Sequence, residues 1–172
     1  MDYFTLFKLP VCYLINNDLL MLRYQELQRQ FHPDRYVNQL EHKCINNIQQ
    51  SATINNAYYT LKHPLKRAAY ILSLKGYYLN NTQYIKYDKL FIAEQLKLRE
   101  DLNKIALQTN PEKKLVSFKF KISQIIKKHS AQMIIELEQQ QWNSAINILC
   151  KLSFLDKLQQ QINKLEEDII GL

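Results

Sequence analysis

The densest chemistry in this chain of 172 residues is a triplet, His32-Pro33-Asp34, with Arg35 directly after it. An imidazole and a carboxylate two positions apart could act as an acid–base pair or begin a metal site. The surroundings speak against both. No nucleophile lies nearby in sequence, and His42, His63 and His129 are isolated rather than set at ligand spacing. Cys12, Cys44 and Cys150 are odd in number and far apart, and they form no C-x-x-C pair. That pattern gives neither a disulfide framework nor a zinc site and favours a reducing compartment. We therefore expect no catalytic residue, no metal and no cofactor, and read the triplet as a recognition element. Pro33 would fix the turn. Asp34 would present an acceptor-only carboxylate suited to a charged hydrogen bond.

The flanking sequence shows how such a triplet would be held. Leu20, Tyr24, Leu27 and Phe31 fall at i, i+4, i+7 and i+11, one apolar stripe of a helix from about Asp18 to Phe31. Asn16, Asn17 and Asp18 are N-cap candidates. Pro33 has no N–H to donate and pushes His32 out of the α region, so the helix stops there. At 100° per residue Arg29 lies almost opposite the stripe, beside Leu22, Gln25 and Glu26, with Arg23 on the flank. After a loop to about Leu40, a second long helix runs to about Lys62, with Ile54, Ala57, Tyr58 and Leu61 at i, i+3, i+4 and i+7. Two such helices should pair antiparallel. A short aromatic start, Asp2 to Leu6, would plug their core with Tyr3, Phe4 and Phe7. Pro64 opens a helix that ends near Lys75-Gly76, with Arg67 and Tyr70 on it.

Only two Gly and four Pro occur, with 47% hydrophobic residues. Scarce breakers and abundant helix formers predict an all-α protein with a sizeable core. The formal charge is +7 and the pI about 9.2. Lys and Arg are interspersed with Glu and Asp, so nucleic-acid binding is an alternative rather than the main reading. A basic face that docks on an acidic protein is another. No basic leader with an apolar core precedes the structured sequence, and no 18-residue apolar run occurs, so a cytoplasmic protein with no membrane partner is expected.

The stretch 77–87 is Asn-rich and polar and reads as a linker between domains at 1–76 and 88–172. The second domain opens on a helix from Asp88 to near Thr109 with Phe91, Leu98, Leu102 and Ile105 as its seam. Asn110-Pro111 predicts a cap followed by Pro at the first position of the next helix, whose stripe is Leu115, Phe118, Ile122, Ile125 and Met133. A turn is expected near Gln139 to Trp142, although no Gly or Pro marks it. The last helix carries Ile148, Leu152, Leu155, Ile162 and Ile169, completing a three-helix bundle. Ile92 and Leu96 point roughly 80–120° away from the first seam, next to Ala93 and Glu100. Phe154 sits outside the narrow seam of the last helix. Such a stripe outside the core is either buried against the first domain or kept for a partner, and periodicity leaves both open; all three apolar residues are expected to be at least partly exposed in the free protein.

The helix before His32-Pro33-Asp34, the loop, the helix with Ile54, Ala57, Tyr58 and Leu61, and then Pro64, Arg67 and Tyr70 together resemble a J-domain over residues 1–76. J-domains are the modules by which DnaJ-type co-chaperones stimulate DnaK-like ATPases. Met1-Asp2-Tyr3-Phe4-Thr5-Leu6-Phe7, Gln50-Ser51-Ala52-Thr53-Ile54-Asn55, Pro64-Leu65-Lys66-Arg67-Ala68, Glu94-Gln95-Leu96 and Phe154-Leu155-Asp156-Lys157-Leu158 are similar, more specifically, to the HscB family of iron–sulfur cluster assembly. That resemblance implies a co-chaperone with no enzymatic activity of its own, an HscA-type ATPase partner and an IscU-type scaffold as client. It assigns His32, Pro33, Asp34, Arg23, Arg29 and Arg35 to chaperone binding. Ile92, Ala93, Leu96, Lys97, Glu100 and Phe154 would bind the client. The family pattern implies a large apolar residue where Ala93 stands and an acid where Lys97 stands. A J-protein for other clients is the nearest alternative.

Overall fold

The computed structural model describes residues 2–31, 41–78 and 89–171, with the backbone alone at 41–47 and 170. The described residues form seven helices and no strand, the expected all-α class: α1 Tyr3–Leu6, α2 Asn17–Phe31, α3 Glu41–Lys62, α4 Pro64–Leu74, α5 Lys89–Ala106, α6 Glu112–Glu138 and α7 Trp142–Ile170. They divide into two compact units, Met1–Gly76 and Tyr77–Leu172. Most of the stretch read as a linker lies outside the described residues.

In the first unit, the side chain of Asn16 accepts hydrogen bonds from the backbone N–H groups of Asp18 and Leu19, both at 3.0 Å, so Asn16 is the cap of α2. Leu20 is buried, while Tyr24, Leu27 and Phe31 are half-buried along the same stripe. The α2–α3 pair is antiparallel. Tyr24 stacks on Tyr58 at 4.0 Å and donates to Asn55 Oδ1 at 2.8 Å; one turn later on α2, Gln28 reaches the same Asn55 oxygen, earlier in α3 than Tyr58. Ile54, Ala57, Tyr58 and Leu61 are all buried, as the periodicity predicts.

The small helix α1 has too few residues to be stable alone. Tertiary contacts and a cap hold it. Asp2 accepts from the Thr5 backbone N–H and hydroxyl, each at 2.8 Å, and these bonds hold its carboxyl below the usual range. Phe4 and Phe7 are fully buried. The Tyr3 N–H donates to the Tyr70 hydroxyl at 2.9 Å beneath stacked rings 4.4 Å apart. Pro64 is at the start of α4, and Gly76 beyond its end takes φ +85°, a left-handed value that glycine adopts without strain.

Arg67 on α4 is buried. Its Nη1 donates to the carbonyl of Leu61 at 2.7 Å, one of the last carbonyls of α3, which no intrahelical donor reaches. Its guanidinium lies 5.3 Å from the centre of the Tyr13 ring. Burial lowers the pKa of Arg67 and raises that of Tyr13. A cation at the negative end of α3, supplied from the next helix, ties the two helices together.

The second unit is a three-helix bundle. Leu102 and Ile105 of α5, Leu115, Phe118 and Ile122 of α6, and Leu155, Leu158 and Ile162 of α7 form its core, with Phe91, Leu98 and Ile125 packed against it. Two boundaries differ from expectation. Pro111 is the N-cap of α6 rather than its first helical residue, and its carbonyl accepts from Leu115 N–H at 2.8 Å. The first helix ends at Ala106, short of Thr109. The turn at 139–141 is made without glycine: Gln140 itself takes φ +58°, and Gln141 N–H returns to the Glu136 carbonyl. Among the described residues, no helix is long and apolar enough to cross a membrane.

Candidate functional site

His32, Pro33, Asp34 and Arg35 lie outside the described residues. The helix that leads to them is described. On its outward face Leu22, Gln25, Glu26 and Arg29 are all exposed, with Met21 beside them. Arg23 is half-buried and makes an ion pair with Glu26 at 2.9 Å, one turn along the same helix. Arg29 is exposed in the last turn, where a cation complements the helix dipole.

In the second unit, α5 turns its seam inward and leaves another stripe outside. Ile92 is 42% exposed and Leu96 56%, as expected from their offset. Ala93, Lys97 and Glu100 are exposed alongside. Two large apolar side chains one turn apart, flanked by charged side chains of both signs, make a surface that a protein partner can cover.

Phe154 does not join them. Its exposure is 8%, and it belongs to the bundle core. The Phe91 ring meets it edge-on at 6.3 Å and 89°, and the Arg99 guanidinium lies 5.4 Å from its centre. The reason is geometric. A strict seam of 3.5-residue period describes a helix that meets one neighbour, whereas α7 packs against both α5 and α6. Its buried face is correspondingly wider and takes in Phe154 and Leu158 as well as Leu155.

Phe154 and Phe91 instead form a wall of a cavity of about 540 Å³ bounded by α5, α6 and α7. Leu98, Ile125 and Leu155 complete its apolar floor. Lys97, Lys121, Lys128 and Lys151 ring it, with Glu94 as the one carboxylate among the described residues. His129 also lines it; its Nδ1 is buried without a hydrogen-bond partner among the described residues. Burial, with Lys151 and Lys128 nearby, lowers the His129 pKa. Sequence reasoning missed this ring, although Lys121, Ile125, Lys128, His129 and Gln132 stand at i, i+4, i+7, i+8 and i+11, one stripe of α6. Burial raises the Cys150 thiol pKa, which makes it a poor nucleophile. Among the described residues, no group of His, Cys, Asp and Glu is placed to hold a metal ion.

An antiparallel helix pair braced by two shorter helices, followed in the chain by a three-helix bundle, is the architecture of a J-protein with a second, C-terminal helical domain. Residues 87–163 match the family model described as the HSCB C-terminal oligomerisation domain. Over its whole length the chain is similar to chaperone HscB from Vibrio cholerae: 36% identity, 98% of this chain and 99% of that one covered, TM-score 0.91. Human co-chaperone protein HscB has the same fold at 24% identity, with 96% and 82% covered and a TM-score of 0.87. The Jac1 co-chaperone of Saccharomyces cerevisiae shares it at 22% identity, with 95% and 92% covered and a TM-score of 0.75. The chain belongs to the HscB family of co-chaperones. This is a chaperone family, not a family of catalytic enzymes.

Proposed function

We propose that this protein is the J-protein of an iron–sulfur cluster assembly system. It stimulates ATP hydrolysis by an HscA-type heat-shock ATPase and delivers an IscU-type scaffold to it. The observation that carries the client half is the exposed pair Ile92 and Leu96 on α5, turned away from a core that the rest of the helix fills. Ala93, Lys97 and Glu100 extend that face. The ATPase half rests on family membership together with His32-Pro33-Asp34, assisted by Arg29, Arg35 and the partly neutralised Arg23. Phe154 supports the client face from beneath by fixing Phe91 and the wall that α5 presents.

Physically the activity is coupling. The co-chaperone and client must interact more favourably with the ATPase on the way to hydrolysis than with its resting ATP state. The protein needs no catalytic residue or metal of its own for this.

ATPase turnover, measured with the protein, with scaffold and with both, tests the proposal. His32→Gln or Asp34→Asn should abolish stimulation while melting and scaffold binding stay unchanged. Ile92→Ala with Leu96→Ala should weaken scaffold binding roughly tenfold or more, since apolar anchors commonly carry over 1 kcal/mol each. Stimulation by the protein alone should survive in that double variant. Full stimulation by the His32 variant, or unchanged scaffold affinity in the double variant, refutes the corresponding half.

A further inference from the structure

The cavity between α5, α6 and α7 carries more positive charge than the fold explains. Among the described residues, Lys97, Lys128 and Lys151 meet no carboxylate within 4 Å; Lys121 meets Asp101 only at 3.9 Å. Lys151 instead lies 5.5 Å from the centre of the Phe91 ring, over the apolar floor. Clustered ammonium groups repel one another, and the apolar floor reduces the screening between them. Among the described residues, Glu94 is the sole carboxylate in the lining, against four lysines. His129 adds a buried ring nitrogen with no hydrogen-bond partner among the described residues. A volume of about 540 Å³ falls in the range of ligand pockets, and apolar walls with a few convergent polar groups are their usual lining.

We propose that this groove seats a carboxylate-bearing segment of the protein client, so that the client docks on this chain with an acidic surface. The occupant is a protein segment rather than a small anion because the groove is continuous with the exposed face of α5. Lys97 belongs to both, and Leu96 follows Gln95, which lines the groove. One polypeptide segment can place an apolar side chain on Ile92 and Leu96 and an Asp or Glu between Lys97, Lys128 and Lys151. The inference rests on the proposed function only for the identity of the client.

The test uses the full chain and the IscU-type scaffold of the same genome. Affinity is measured at low and high salt for the natural protein, for Lys128→Glu with Lys151→Glu, and for Lys113→Glu, a surface control away from the groove. The double reversal should weaken binding at least tenfold and flatten its salt dependence, while the control stays within twofold. Lys128→Glu alone, at an exposed position, should show part of the loss with unchanged melting. The His129 imidazole, followed by NMR titration, should rise in pKa when scaffold is bound, because a carboxylate near Lys128, Lys151, Lys121, Lys97 and Glu94 offsets the local positive charge. Scaffold binding that ignores both reversals and leaves His129 unmoved overturns the acidic docking and leaves the proposed function standing. Failure of the scaffold to bind at all overturns the client assignment instead. A synthetic peptide of alternating Glu and Leu, which tests the groove without the scaffold, should raise the His129 pKa. If it does not, or if free phosphate or hexanoate produces the same shift, the groove does not seat an acidic segment.

Discussion

Replacing Phe154 by Ala separates architecture from recognition on the client side. The ring is 8% exposed and packed in the bundle core, so its loss leaves a cavity rather than a bare patch. Phe→Ala at buried sites costs about 3–5 kcal/mol. The edge-on contact with Phe91, of a kind worth roughly 0.5–1.5 kcal/mol, places this site in the upper part of that range, at about 4 kcal/mol. For a unit the size of Tyr77–Leu172, each kcal/mol moves the midpoint by roughly 4–8 °C. The bundle of the Phe154→Ala protein should therefore melt about 15–30 °C lower. Ile92→Ala and Leu96→Ala should each change stability by less than about 0.5 kcal/mol, because those side chains already face solvent and Ala is the better helix former. Differential scanning calorimetry, with the helical signal in circular dichroism as second probe, measures both. A Phe154→Ala protein melting within a few degrees of the natural one would show that the ring is not part of the core. Phe154 would then serve the groove as a contact for the client rather than as its support.

Two further outcomes follow from buried charge. Arg67→Ala should destabilise the first unit by about 2–3 kcal/mol in urea unfolding, through the lost bond to the Leu61 carbonyl and the lost cation–ring contact with Tyr13; an unchanged midpoint would refute the capping role. His129 has its pKa lowered below 6.5 in the folded state, so between those values the unfolded chain binds the extra proton. The stability it contributes is present above pH 6.5 and falls as pH drops towards the folded value. His129→Gln should flatten that part of the melting profile, and an identical slope in both proteins would remove His129 as the cause.

The element types and most of their order were legible because periodicity reports which side chains face inward. Leu20, Ile54, Leu61, Ile122 and Ile162 all occupy the interior their spacing predicts. What periodicity cannot report is how many neighbours a helix has. That is why Phe154 read as an outside residue and is an inside one. Arg67 was visible as a notable arginine, but its burial depends on where Tyr13 and the end of α3 meet it, a tertiary fact. The turn near Gln139 to Trp142 was expected, but nothing marked Gln140 as its left-handed residue, since a residue with a Cβ took that conformation at a cost the flanking helices overcome. Ile92 and Leu96 were legible because an apolar stripe outside a filled seam has few places to go.

That turn also bears on how the bundle forms. α6 has 27 residues and α7 has 29, each roughly 40 Å long, and the three residues 139–141 separate them. Pairing can begin next to the turn and proceed like a zip, each step enclosing only slightly more chain than the last. Lys119 meeting Glu166 lies far along that path, after the intervening residues have already been drawn together. Loop-closure entropy is then met in small instalments rather than in one large step. The hairpin should thus assemble early and quickly, on the microsecond-to-millisecond scale of sequence-local helical folds, and provide the template on which α5 docks.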